Sequence, residues 1–539
     1  MRRIASRLVL SVLAALSLAS CGGGGDDDGE PPPPPGGGSG TTISGTVRFA
    51  RVPFHPVPGQ GLDYANPVMQ PARGVAVRAL HAGTQAVLAS GTTSAAGTYS
   101  LEVPANTDVT LQVIARMQNG SAQSLPRWDV RVQNGVAAPN PFSFTSAAFN
   151  SDTGGMDVDI PSGLSATGSA TGTRASGPFA ILDTLYTVIQ SVLTLEPQVN
   201  LPALLVDWGS QDGGTFFADD GSRQWIALNW NLAEDTEEFD QHVIAHEFGH
   251  FLEHNFSRSD SGGGSHGLGD RLDPRLAFSE GFGYAFAAFA LGDPLVRDSF
   301  VFNGQQVDMV LPVEQNPAGA NACWCSETSV WSLIWDLYDS SNDGADAVSV
   351  GFQPIWEAMK GAHRDTPSIT SIFSFIEAVK ALRPQDAAAI DALVAAQNID
   401  AATIDAFATG ETHSPYPEVM PLFTDIGLGT PVVLRTIDDA GRHNKLGNHR
   451  FLRFVAPATG TVTVTLTTSN PNLNPDPDFI VYRDGVPVAA GEDPPALQEV
   501  ETFSVSAGRT YVIDAYDCAN GCYPLQGVPG DYDLTVTIN

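Results

Sequence analysis

Residues 241–255, QHVIAHEFGHFLEHN, constrain this chain more than any other stretch, because they set His246, Glu247 and His250 in the spacing H-E-x-x-H. In an α-helix, residues four apart lie about 40° apart round the axis and about 6 Å apart along it, so His246 and His250 project from one face. Two imidazoles so placed can share one zinc ion. Glu247 lies about 100° round from His246, beside the metal, where its carboxylate can take a proton from a metal-activated water. That is the chemistry of a metal-assisted hydrolase.

Three fixed positions recur by chance in long chains, so the surroundings decide. Asp235, followed by Thr-Glu-Glu, reads as a helix N-cap with Glu238 at N3 and acidic charge where the helix dipole favours it. Ile244, Phe248, Phe251 and Leu252 then supply an apolar stripe at helical spacing. His242 and His254 continue the four-residue series, but neither flanks a glutamate in the right register, and both read as surface or supporting residues.

The chain opens MRRIASRLVLSVLAALSLASC, with Arg2, Arg3 and Arg7 before a short, early apolar run, which reads as a signal peptide over residues 1–20. Its end, Leu18-Ala19-Ser20-Cys21, resembles the lipobox of bacterial lipoproteins. That resemblance implies an exported lipoprotein held to a membrane through a lipidated Cys21 and facing the periplasm or the cell exterior. Residues 21–40 are Gly-, Asp- and Pro-rich, with almost nothing to bury, and read as a solvated tether. No later run looks long and apolar enough for a membrane span, so the lipid is the expected anchor.

A formal charge of −33, from 60 acidic and 27 basic residues, argues against a nucleic-acid partner. Beyond Cys21 the cysteines fall in two close pairs, Cys323 with Cys325 and Cys518 with Cys522. Export makes disulfides the expectation; three pairings are open, and two local bridges are favoured by proximity.

A length of 539 residues leaves room for about three domains. Residues 41–150 carry short β-rich runs such as GVAVRAL and GTYSLEV broken by Gly and Pro, the pattern of an antiparallel sandwich. Within them, residues 74–103 resemble the carboxypeptidase regulatory-like family, which implies a module without catalysis of its own. Residues 151–177 are low in bulk and read as a linker. Ile181, Leu182, Leu185, Ile189 and Val192 mark a helix closed by Pro197. LPALLVDW and QWIALNW then read as strands, the second ending just before the metal helix.

A third metal ligand is needed, and His266, Asp270 and Glu280 are the candidates. Asp273 and Pro274 read as N-cap and N1 of a helix that Gly292 ends. Glu280 is its lone carboxylate between Pro274 and Leu291, costly to bury unpaired and relieved by a cation. Gly281 and Gly283 each cost about 1 kcal/mol of helix propensity, which makes sense if another helix comes close.

The sequence HEFGH, followed 30 positions later by SEGFGYAF, resembles the gluzincin metallopeptidases over residues 225–290. The resemblance implies zinc held by His246, His250 and Glu280, with Glu247 as general base. It also implies an edge strand beside the metal helix that binds an extended substrate through its backbone. The metzincin continuation is excluded, since Glu253 and Phe256 stand where that family has glycine and histidine. Thermolysin-like members carry an aspartate four residues after the ligand glutamate, orienting a zinc histidine; here that place is Tyr284. Gluzincins also use a Tyr or His to stabilise the oxyanion, and Tyr284, Tyr338 and His363 are the candidates among which the sequence does not choose.

Residues 326–405 read as helical, with Trp331 and Trp335 as core. From 427 to 539 the pattern returns to β and resembles the bacterial pre-peptidase C-terminal domain in the run from Arg450 to Val464, in DPDFIVYRDG and in GDYDLTVT, which implies company with a secreted peptidase. Asp476, Asp478 and Asp484 are a charged turn or a structural Ca2+ site.

The expected fold class is therefore multidomain α+β: a zincin-like catalytic domain over 178–410 between two antiparallel β-sandwich domains, 41–150 and 427–539. The expected function is zinc-dependent hydrolysis of peptide bonds in extracytoplasmic proteins or peptides, by an endopeptidase. The alternatives are a surface-anchored binding or adhesion protein with an inactive peptidase fold, and a zinc hydrolase acting on a non-peptide bond.

Overall fold

The computed structural model describes residues 40–121, 123–138, 140–209, 214–315, 322–341, 346–401, 403–437, 444–470, 475–518, 522 and 530–539. The leader, Cys21 and the tether as far as residue 39 lie outside the described residues. Residues 40–539 form one compact unit.

In the strand Thr98–Pro104 exposed and buried residues alternate strictly, with Tyr99, Leu101 and Val103 turned inward, as a half-buried strand requires. It pairs antiparallel with Gly40–Arg51, whose other end pairs parallel with Val158–Ile160. The segment expected as a linker thus contributes a strand, and its Arg174 makes a 2.9 Å ion pair with buried Glu238. Low side-chain bulk there reflects tight packing: a Cβ on Gly155 would lie 2.0 Å from the Ser44 carbonyl, and one on Gly163 2.1 Å from that of Thr173.

The larger sheet does not stop at the end of the expected N-terminal sandwich. It runs from Val87–Thr92 through Val75–His81, Asp108–Ser121 and Ser124–Gln133 into Leu204–Trp208, Gln224–Leu228 and Phe216–Asp219. The junction is parallel, Leu204 against Val130 to Asp207 against Gln133, so the region is not a purely antiparallel sandwich. Leu204–Trp208 is buried throughout, the mark of a strand covered on both faces.

Seven α-helices are found among the described residues: α1 Gly177–Leu195, α2 Gln241–Phe256, α3 Pro274–Leu291, α4 Glu327–Tyr338, α5 Phe352–Ala358, α6 Ile372–Leu382 and α7 Ala387–Ala396. By length and composition α1 is apolar enough to span a membrane, contrary to the sequence expectation. It is instead a core helix, packed on Ser124–Gln133, on Asp108–Ser121 and on α2. Consecutive packing of α2, α3 and α4 forms the floor of the site; α4 to α7 lie within 326–405, which is helical only in part, since the described residues between Tyr338 and Phe352 and after Ala396 form no helix.

The start of α2 differs from expectation. Asp235–Thr236 is a short strand paired with Trp230–Asn231 and with Phe300, Glu237–Phe239 is a single 3-10 turn, and the helix begins after Asp240. Sheet pairing has overridden the local capping pattern. For α3 the signals hold: the Asp273 side chain accepts from the Arg275 amide at 3.0 Å, and Gly292 closes the helix in the left-handed region.

The last region holds a five-stranded and a four-stranded sheet, with Phe423–Asp425, Arg450–Val455, Thr510–Asp517, Pro477–Arg483 and Val486–Gly491 in the first and Val432–Arg435, Asp533–Ile538, Gly460–Thr468 and Gln498–Val505 in the second. Leu452, Phe454, Val464, Phe479 and Leu534 form a core of its own. The disulfides join Cys323 with Cys325 and Cys518 with Cys522, the two local pairings.

Candidate metal centre and its cleft

Helices α2 and α3 approach closely because glycines face each other. A Cβ on Gly249 would lie 3.1 Å from the Gly283 Cα, and one on Gly283 2.8 Å from the His246 ring. Gly281 plays the same part toward α4, where a Cβ would meet Val330 at 2.5 Å. Both propensity costs noted in the sequence thus have their packing reason.

This approach brings Glu280 of α3 to the histidines of α2. His246 Nε2 lies 3.0 Å from His250 Nε2 and 3.1 Å from Glu280 Oε2, and His250 Nε2 lies 3.4 Å from that same oxygen. A zinc ion with bonds of about 2.0 Å to tetrahedral ligands implies ligand separations of about 3.3 Å, so the three atoms stand near three corners of such a site. The donor set, two imidazoles and a carboxylate, suits zinc. Burial alone would raise the Glu280 carboxyl, but His250 and His246 outweigh it and hold it well below the usual range.

Glu247 is 6 % exposed, and its Oε2 has no hydrogen-bond partner. Burial raises its carboxyl above the ordinary value, against the pull of His246 and His250. A carboxylate poised in this way suits a general base.

The surroundings differ for the two histidines. Ser279 Oγ lies 3.2 Å from His250 Nδ1 and donates to Glu253 Oε2 at 2.6 Å, so Glu253 and Ser279 orient that ring. Neither was singled out from sequence, although Glu253 stands three residues after His250, within side-chain reach on a helix. His246 Nδ1 is buried with no hydrogen-bond partner, and its ring packs on Tyr284 with centroids 4.4 Å apart. Tyr284 packs in turn on Trp331, so an aromatic wall stands beside this histidine.

The other candidates separate clearly. His266 reaches the site, its Nε2 3.4 Å from Glu280 Oε2 and its Nδ1 3.1 Å from Glu327 Oε2, a close approach without aligned hydrogen-bond geometry. Burial and Glu280 push the Glu327 carboxyl up to about 8. Asp270 turns away to Lys445 at 3.2 Å. Tyr338 packs on Phe289 and Trp335. His363 is fully buried against Phe278 and Phe375, bonded to Ser374 Oγ at 3.0 Å, and burial pushes it down to about 3. Of the three oxyanion candidates, only Tyr284 lines the cleft. His242 is buried and bonds the Asp293 carbonyl, and His254 pairs with Asp219, so both support the fold. Asp476 and Asp478 stand near Glu499 and Asp517, whereas Asp484 occupies a tight turn with φ 51°.

The centre opens into a cleft of ≈ 870 Å³ lined by Phe217, Val243, His246, Glu247, His266 and Tyr284, among others. One wall is the sheet edge. That edge is Phe216–Asp219, which pairs antiparallel with Gln224–Leu228; Gln224–Leu228, read from sequence as the strand beside the metal helix, is second in.

Residues 195–392 match the family model of the Mycolysin C-terminal domain. The matched segment contains His246, Glu247, His250 and Glu280, and makes this part of the chain similar to a peptidase-associated domain family. Among solved structures, the precursor of protealysin, a metalloproteinase from Serratia proteamaculans, aligns at 11% identity over 52% of this chain and 88% of that one, with a TM-score of 0.30. The pre-peptidase C-terminal domain of a collagenase from Bacillus anthracis aligns at 12% identity over 22% of this chain and 94% of that one, with a TM-score of 0.16. No curated protein matches the sequence.

Proposed function

We propose that the chain is a zinc-dependent metallopeptidase of zincin type that hydrolyses peptide bonds in extracytoplasmic proteins or peptides. The observation that carries this reading is the 3.0–3.4 Å triangle of His246 Nε2, His250 Nε2 and Glu280 Oε2 with Glu247 beside it. His246, His250 and Glu280 would hold the zinc, which when bound supplies Lewis acidity toward a scissile carbonyl and its attacking water.

The chain's own residues do the rest. The edge Phe216–Asp219 offers backbone groups to an extended peptide, so that substrate is aligned along the cleft as an added strand. Glu247 takes the proton of the attacking water and delivers it to the leaving amine. Glu253, through Ser279, keeps the His250 ring in one orientation. Tyr284 or His266, both facing the cleft, donates to the developing oxyanion. The leader and Cys21 support an exported, lipid-anchored protein, and the match to a peptidase-associated family supports a protein or peptide substrate.

Glu247→Ala tests the reading. Cleavage of an unstructured protein such as casein, followed by mass spectrometry, should fall at least about 10²-fold while the metal content stays unchanged. Full activity in this variant would contradict the proposal.

A further inference from the structure

The loop between α2 and α3 carries His266 into the cleft, and its own sequence does not fix it there. Residues 257–271, SRSDSGGGSHGLGDR, form no helix or strand and are rich in glycine. A Cβ on Gly262 would meet nothing within 4 Å, so packing does not demand the glycine at that position. Glycine loses more conformational freedom on folding than any other residue. A loop of this composition holds one shape only if contacts from outside impose it.

The two ends of the loop are anchored. At its start Arg258 donates to the carbonyls of Arg364 and Thr366 at 2.9 and 2.8 Å, and Asp260 exchanges hydrogen bonds with Thr370. At its end the Arg271 carbonyl accepts from the Leu446 amide at 2.8 Å, and the Asp273 amide donates to the Asn444 carbonyl at 2.9 Å. Between these anchors, among the described residues, the hydrogen bonds that reach 261–270 from elsewhere come from two side chains of the C-terminal β region. Asn444 Nδ2 donates to the carbonyls of Gly263 and Ser265 at 3.0 and 3.1 Å, and Lys445 Nζ donates to that of Ser265 at 3.0 Å. Lys445 Nζ also donates to Asn444 Oδ1 at 2.8 Å and pairs with Asp270 Oδ2 at 3.2 Å, so its three hydrogens have three acceptors. Both side chains are 6 % exposed.

The Ser265 carbonyl belongs to the peptide plane that leads into His266, so holding it holds the backbone from which the imidazole projects. On the catalytic side the ring approaches Glu280 at 3.4 Å and Glu327 at 3.1 Å without aligned hydrogen bonds, and those contacts do not replace the grip on its backbone. We propose that Asn444 and Lys445 are positioning residues for His266, so that docking of the C-terminal β region completes the catalytic centre. They keep the imidazole where it can donate to the developing oxyanion, and they touch neither the metal ligands nor Glu247. This inference rests on the peptidase reading, with His266 as the oxyanion donor.

The test is a double-mutant cycle on the full chain: Lys445→Met, His266→Ala and the two together. Cleavage of labelled casein reads kcat and KM, and zinc content checks that the centre is intact. His266→Ala should lower kcat by roughly 10²-fold and Lys445→Met by roughly tenfold, with KM and zinc little changed. The double variant should be no slower than His266→Ala, because Lys445 acts through that residue. Asn444→Ala, which removes only the side-chain bonds, takes the place of Lys445→Met in the cycle if that variant does not fold. A positioning variant with wild-type kcat would overturn the inference, and so would losses that multiply in the double variant. His266→Ala with wild-type kcat would overturn it as well, while the peptidase reading would still stand on the inactivity of Glu247→Ala. A wild type that cleaves nothing would remove the reading and the inference together.

Discussion

The two β regions that flank the metal centre look alike in sequence and are built into the molecule differently. The first shares its sheet with the strands beside α2, and Val113, Val132 and Val206 belong to the same apolar core as Phe248, Phe282 and Trp331. The second keeps a core of its own around Phe454, Val464 and Phe479, and only a few of its residues, Leu446, Phe451 and Val512 among them, reach the main one. Polar contacts add to this attachment. Arg275 of α3 bonds Asp514 at 2.7 Å, and Asn444 and Lys445 bond the carbonyl of Ser265 at 3.1 and 3.0 Å, next to His266. The first β region is scaffold for the site, and the second is a docked layer that holds one loop of it.

Deletion gives the largest contrast. A chain without residues 40–133 should fail to fold, because Leu204–Trp208 would lose one of its two parallel partners and the core one wall. A chain without residues 427–539 should keep α2, α3 and their zinc while the loop around His266 loosens. Circular dichroism with limited proteolysis reads both, and equal effects would erase the distinction. Arg275→Ala should come next, destabilising the intact chain by roughly 3–5 kcal/mol in urea unfolding, because it takes the guanidinium from buried Asp273 and Asp514 and leaves Asp514 with His449 alone.

Acid should act on the same contact more gently. Burial alone would raise the Asp514 carboxyl, but Arg275 and His449 outweigh it and hold it at about 2, below the ordinary 3.8. Between these values the unfolded chain binds the extra proton, so the stability from Asp514 is present above pH about 4 and lost as pH falls toward 2. Denaturant midpoints across that window should fall less steeply in Arg275→Ala than in wild type. Parallel slopes would show that the pair does not govern docking.

The motif helix and the caps of α3 were legible because their signals are local: H-E-x-x-H on one face, Asp273 before Pro274, Gly292 after Leu291. Glu280 was legible as a lone carboxylate in an apolar helix. The start of α2 was misread because Asp235 and Thr236 answer to Phe300 and Trp230, partners that no local pattern reveals. The edge strand Phe216–Asp219 has no alternation to betray it, and the continuity of the large sheet depends on one parallel pairing 74 positions apart in sequence, Leu204 with Val130. Glu253 stands one turn from His250, so its reach to that ring is legible from helical spacing.

The most direct test of the central claim is zinc content by elemental analysis of the purified chain, wild type against Glu280→Ala and His266→Ala. The account predicts one zinc per chain in wild type and in His266→Ala, and its loss in Glu280→Ala. A wild type that holds no zinc after growth with added metal, or a Glu280→Ala protein that keeps it, would contradict the ligand set.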